Sequence, residues 1–146
     1  FRQIAMFRFE RSAHDLRRYS GEQTVTAYGE LWQKKQQEMF GDSLKLGAEH
    51  SYWWLYIPHV YRTPFYVYAH AFGELLVLSL YAQYRKEGDA FVSRYFDLLR
   101  AGGSHSPAKL VSAVGFDIGD PNFWQSGFDL IRRRVDLATE LAGGIE

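Results

Sequence analysis

Apolar residues recur three and four positions apart along most of this chain, and that rhythm leaves little room for anything but α-helix. Met6, Phe9, Ala13 and Leu16 form one such stripe, which predicts a first helix from Phe1 to about Tyr19, broken by Ser20-Gly21. Thr24 is suited to an N-cap. The second helix, which it opens, carries Tyr28, Leu31, Trp32, Met39 and Phe40 and stops near Gly41-Asp42. No period runs from Ser43 to Tyr61, and Ser51 to Ile57 reads as extended chain or coil. A third helix is predicted from near Pro64, an allowed first-turn residue, to about Glu87 before Gly88. It is apolar on nearly every face until Tyr84, the pattern of a helix central to a bundle. A fourth carries Phe91, Tyr95 and Leu98 beside Val92, Phe96 and Leu99, ending at Gly102-Gly103. Ser106-Pro107 opens a short fifth that Gly115 closes. Asp120-Pro121 opens the last, with Trp124, Phe128, Ile131, Val135 and Ala138 on one face. The fold class is all-α: a single domain over residues 1–146, a bundle of about six helices with little or no sheet.

Size and charge narrow the function classes. A chain of 146 residues with 47% apolar content can bury a real core. Its 17 basic and 17 acidic residues cancel, so no global field recruits nucleic acid or an anionic membrane. The basic clusters at Arg8, Arg11, Arg17, Arg18 and at Arg132-Arg133-Arg134 sit in amphipathic helix patterns and read as solvated faces. The chain has no cysteine, which excludes disulfides and thiolate metal sites and suits a cytoplasmic location. No signal peptide is visible, and the longest apolar segment, Ala69 to Ala82, is interrupted and too short to span a membrane. Phe1 falls in mid-helix pattern, so the chain is expected to be the carboxy-terminal portion of a longer polypeptide.

The stretch richest in chemistry is Ile57 to Tyr68, where His59, Tyr61, Tyr66 and Tyr68 crowd around the entrance of the third helix. Phenol and imidazole donors can hold a substrate carbonyl or an oxyanion. Elsewhere the plain readings prevail. None of the five histidines has His-Glu-x-x-His spacing, and no metal is expected within this chain. Glu10 and His14, at i and i+4, read as a helix-surface ion pair. His70 and Glu74 share the same spacing on the third helix and read as a structural hydrogen bond or part of a cleft lining. His105 reads as solvated, and Gly102-Gly103-Ser104-His105-Ser106-Pro107 as a helix stop, a turn and an N-cap. It has no Gly-x-Ser-x-Gly elbow. From the residues alone, the chain is an α-helical domain with a polar-aromatic cleft.

Several blocks then occur in a recognisable order. They are Phe1-Arg2-Gln3, Leu31-Trp32, Phe40-Gly41-Asp42, Ile57 to Tyr68, Ala71-Phe72-Gly73-Glu74-Leu75-Leu76, Tyr95 to Ser104, Ser106-Pro107, Gly115 and Asp120 to Trp124. Together they resemble the carboxy-terminal part of the oligoendopeptidase F family of zinc metallopeptidases, related to thimet oligopeptidase, from Phe1 to about Leu141. The resemblance implies the C-terminal part of a zincin-like oligopeptidase, α-helical, with two lobes flanking a channel that admits short peptides. It also implies zinc in the full-length enzyme, with its ligands and the general-base glutamate before Phe1, so that this chain alone is inactive.

Carried over by position, His59, Tyr61 and Tyr68 match the family's catalytic donors, with Tyr66, Arg62 and His70 on the substrate-binding side. In that reading the zinc polarises the scissile carbonyl and its water attacks, while Tyr68 with His59 or Tyr61 donates to the oxyanion. His70 departs from the aromatic or polar residue expected after Tyr68-Ala69. On a helix beginning at Pro64 it would lie one turn from Tyr66. The expected partners are short peptides and the missing N-terminal part of the same polypeptide, with self-association of the fragment where nothing covers the third helix. The alternative is a non-catalytic helical module binding peptide or a partner through Trp53, Trp54, Tyr61 and Tyr66. A metal-carrying bundle using His70, Glu74 and Glu10 is more distant, because it lacks the Glu-x-x-His motifs such sites need.

Overall fold

The computed structural model describes residues 1–143. Among them are seven α-helices, two 3-10 segments and no strand, so the all-α expectation holds. The chain divides into two compact units, Phe1–Phe72 and Gly73–Glu146, the division falling inside the fourth helix.

In the first unit, α1 spans Arg2–Ser20 and α2 spans Val25–Phe40. The Thr24 hydroxyl accepts from the Ala27 N–H at 3.1 Å, the cap its sequence position announces. The 3-10 segments Gly41–Ser43 and Ala48–Tyr56 follow, and then a helix of little more than one turn, α3, Pro58–Arg62. The expectation of extended chain or coil is therefore corrected over residues 51–56, while Ile57 is extended. Short-range bonds such as Ser51 Oγ to the Ala48 carbonyl, 2.7 Å, wind the stretch into 3-10 turns without needing an apolar period. Met6, Phe9, Trp32, Ile57 and Val67 form the core of this unit. Phe9 and Trp32 meet edge to face at 5.1 Å.

In the second unit, α4 spans Ala69–Glu87, α5 Asp89–Ala101, α6 Pro107–Ala113 and α7 Pro121–Gly143. Gly88, at φ +63°, makes the reversal from α4 to α5, a conformation open to glycine without strain. Glu87 and Arg94 pair across that reversal, and Arg94 also donates to the Val114 carbonyl at 3.2 Å. The Ser106 and Pro107 start signal is realised at α6. Leu80, Phe91, Val111 and Phe123 form this unit's core, each side chain contributing about 1.5–3 kcal/mol by leaving water.

Two expectations about the third predicted helix change. It starts at Ala69, not near Pro64, because residues 63–68 form turns and Phe65 has φ +61°, which a helix cannot accommodate. It is also less enclosed than its composition implies. Leu78, Ser79, Leu80 and Ala82 are buried, while Val77, Tyr81 and Tyr84 remain exposed.

Candidate donor segment

Ile57 and Val67 are both buried in the core of the first unit, and nothing between them is. The nine residues from Pro58 to Tyr66 thus run over the surface from one apolar anchor to the other. Ile57 gives way to α3, and the Thr63 N–H closes that helix on the His59 carbonyl at 3.0 Å. The Tyr66 N–H then bonds the Thr63 carbonyl at 3.2 Å, and the Ala69 N–H bonds the Tyr66 carbonyl at 2.9 Å. With Val67 turned into the core, Tyr66 and Tyr68 on either side of it face outward.

Each polar aromatic leans on a ring. His59 and Tyr66 are stacked, 16° from parallel with centroids 6.1 Å apart. Tyr61 stacks on Trp54 at 6.4 Å, and Tyr68 meets Phe7 of α1 at 5.6 Å and 66°. Tyr61, Tyr66 and Tyr68 keep 53%, 48% and 44% of their surface exposed. Among the described residues, neither these three phenol oxygens nor the His59 ring nitrogens hydrogen-bond to another group of the chain. Desolvation pushes the Tyr61 phenol above its ordinary pKa. The arrangement is a row of unengaged donors on a ring-backed surface. It holds no nucleophile paired with a base.

Arg62 ends α3, exposed, and His70 lies exposed in the first turn of α4. Because α4 begins only at Ala69, Tyr66 and His70 do not share a helix face as a start at Pro64 would have given them. The expected surface pair of Glu10 and His14 is corrected more sharply. Glu10 is 0% exposed, and its Oε1 accepts the Phe65 backbone N–H at 2.7 Å. His14 is exposed and lies against the Phe65 ring at 4.7 Å. The bond between Glu10 and Phe65 has no counterpart in the sequence reading, although one signal of burial at position 10 existed. Position 10 lies four residues after Met6 and three before Ala13, on the core-facing stripe.

No three of His, Asp and Glu come together to hold a metal among the described residues. Of the three named for a bundle site, Glu10 is committed to Phe65, and His70 and Glu74 point into solvent. These residues do not fit a zinc site. No helix among the described residues is long and apolar enough to cross a membrane.

The profile of peptidase family M3 matches residues 1–130. The chain belongs to peptidase family M3. This M3 chain is 29% identical over 141 residues to Oligopeptidase PepF of Bacillus subtilis (strain 168), covering 97% of itself and 21% of that protein. An Oligoendopeptidase F homolog of Borreliella burgdorferi is 30% identical over 138 residues, 93% of the chain and 23% of the relative. The chromosomal Oligoendopeptidase F of Lactococcus lactis subsp. cremoris is 27% identical over 142 residues, 97% and 23%. The relatives are thus of the oligoendopeptidase F kind, and the M3 chain spans between a fifth and a quarter of their length. No solved structure gives a match.

Proposed function

We propose that this chain is part of a zinc-dependent oligoendopeptidase that hydrolyses short peptides in the cytoplasm, and that it supplies the hydrogen-bond donors of the substrate channel. The observation that carries the reading is the row His59, Tyr61, Tyr66 and Tyr68: exposed phenols, free of internal partners, on a chain of family M3. A peptide carbonyl approaching them accepts hydrogen bonds from groups already held in place by Val67, Trp54 and Phe7. As the carbonyl carbon becomes tetrahedral, its oxygen gains charge, and a fixed phenol O–H is worth more to it than to the substrate. Tyr68 is the first donor, with His59 or Tyr61 as the second. Tyr66, Arg62 and His70 contact the peptide on either side. Zinc is the metal of this family, and its ligands lie outside these 146 residues in this proposal, so the chain alone is inactive.

The test is hydrolysis of a short fluorogenic peptide by the longer polypeptide and by the isolated 146-residue chain. The longer form is expected to turn over, the isolated chain not. Tyr68→Phe in the longer form is expected to lower turnover by about 10²–10³-fold. A change within about twofold removes Tyr68 from the role. A second reading, a partner-binding surface without catalysis, draws on the exposed Tyr52, Trp53, Leu55 and Tyr56 of the 3-10 segment. It takes over if the longer form binds the peptide and leaves it intact.

A further inference from the structure

Burying a carboxylate at a core-facing helix position is costly unless something needs it there. Position 10 packs among Met6, Phe9 and Ala13, where a leucine would fill the space with no polar group to satisfy. The need is at the far end of the donor segment. Pro64 has no N–H to give, and the N–H groups of Thr63 and Tyr66 are bonded within the segment. The Phe65 N–H is left over, and the Glu10 Oε1 takes it at 2.7 Å across 55 positions of sequence.

Phe65 is also the one non-glycine residue with positive φ among those described, at +61°. A bulky residue in that region is strained and persists only when its surroundings hold it. Two residues one turn apart on α1 do so: Glu10 grips the backbone, and His14 lies against the ring. On one side of this point lie His59 and Tyr61, on the other Tyr66 and Tyr68. A cavity of about 230 Å³ lined by Glu10, His14, Tyr28, Trp54 and Tyr61 leaves room for the segment to shift if the grip is released.

We infer that Glu10 is a positioning residue for the donor segment. Its carboxylate fixes the Phe65 bend, and through it the places of Tyr66 against His59 and of Tyr68 at the head of α4. The inference rests on the proposed reading of that segment. A loss of about an ångström in donor placement is expected to cost on the order of 10–10²-fold in turnover, with little change in KM.

Two experiments decide it, and the first needs no activity. In the 146-residue chain, amide hydrogen exchange at Phe65 is expected to be slow. It should accelerate in Glu10→Leu and stay slow in Glu10→Gln, whose amide oxygen still accepts. The Glu10 Oε2 has no partner, so the amide NH2 in its place breaks nothing. Exchange at Phe65 that ignores both substitutions overturns the inference, whatever the peptidase assay gives.

In the longer polypeptide, Glu10→Leu should lower kcat and Glu10→Gln should restore most of it. The Glu10→Leu effect should also shrink in a Tyr68→Phe background, because both act through one donor. Effects that simply multiply, or a Gln variant as poor as Leu, overturn it. A longer form that never cleaves peptide sinks the peptidase reading instead, and the exchange result then stands alone on Glu10.

Discussion

The two units of this chain are built from the same element, yet they bury different things. In Gly73–Glu146 the core is Leu80, Phe91, Val111 and Phe123, and Ser79 is the single buried polar side chain among the described residues of that half. In Phe1–Phe72 the core includes Glu10 and Gln36, and Trp32 Nε1, Trp54 Nε1 and His50 Nδ1 are sealed without hydrogen-bond partners. Unmatched buried polar groups cost free energy that packing alone does not return. The second unit is stabilised by shape and apolar contact. The first accepts a less comfortable interior and carries the exposed donors. Buried polar groups and exposed donors share one unit.

The sharpest way to break that contrast is Phe123→Ala. Its ring stacks on Phe116 at 5.5 Å and is nearly sealed, so its loss is expected to cost about 3–5 kcal/mol in urea denaturation. A loss under about 1 kcal/mol would mean that the apolar cluster does not carry the second unit.

Gly127→Ala follows. A Cβ there meets Ser79 Oγ at 2.8 Å, the Leu75 carbonyl at 3.2 Å and the Ser79 N at 3.3 Å, so α4 and α7 must give way. The expected cost is about 1–3 kcal/mol. It should shrink in a Ser79→Ala background, where the closest atom is gone and no hydrogen bond has been lost. An unchanged cost would assign the clash to the backbone contacts instead.

The smallest effect concerns pH and the first unit. The His50 imidazole lies between the Trp32 ring at 5.9 Å and the Trp53 ring at 4.8 Å. Burial holds its pKa below the usual histidine range, and the Arg2 guanidinium adds to that. The folded state therefore prefers the neutral ring. Its contribution is present above the unfolded value of 6.5 and is lost as pH falls through the folded value. Unfolding followed by tryptophan fluorescence should shift to lower urea between about pH 7 and pH 5, and His50→Gln should flatten that shift. An identical slope in the variant would clear His50.

What could be read in the sequence was local. Thr24, Ser106 and Pro107 signal helix starts through bonds that reach three residues, and the structure puts them to that use. The donor-rich stretch stood out for the same reason, since its phenols, imidazole and prolines are neighbours in sequence. The start of α4 was misread because Pro64 is a lawful first-turn residue. What forbids a helix there is Phe65, held by a carboxylate 55 positions away. Glu10 itself was read from its i, i+4 neighbour and so assigned to the surface. Its true partner has no periodic relation to it.

Most chains assign a left-handed turn to glycine, which adopts it freely. At position 65 this one keeps a phenylalanine, and the exchange is informative. Glycine would relax the bend and at the same moment strip away the ring on which His14 rests. Ranking substitutions by local ease would favour glycine here, yet it would unfasten the segment that carries His59, Tyr61, Tyr66 and Tyr68. The benzyl group at 65 marks where the chain sets distant cohesion above comfort at home.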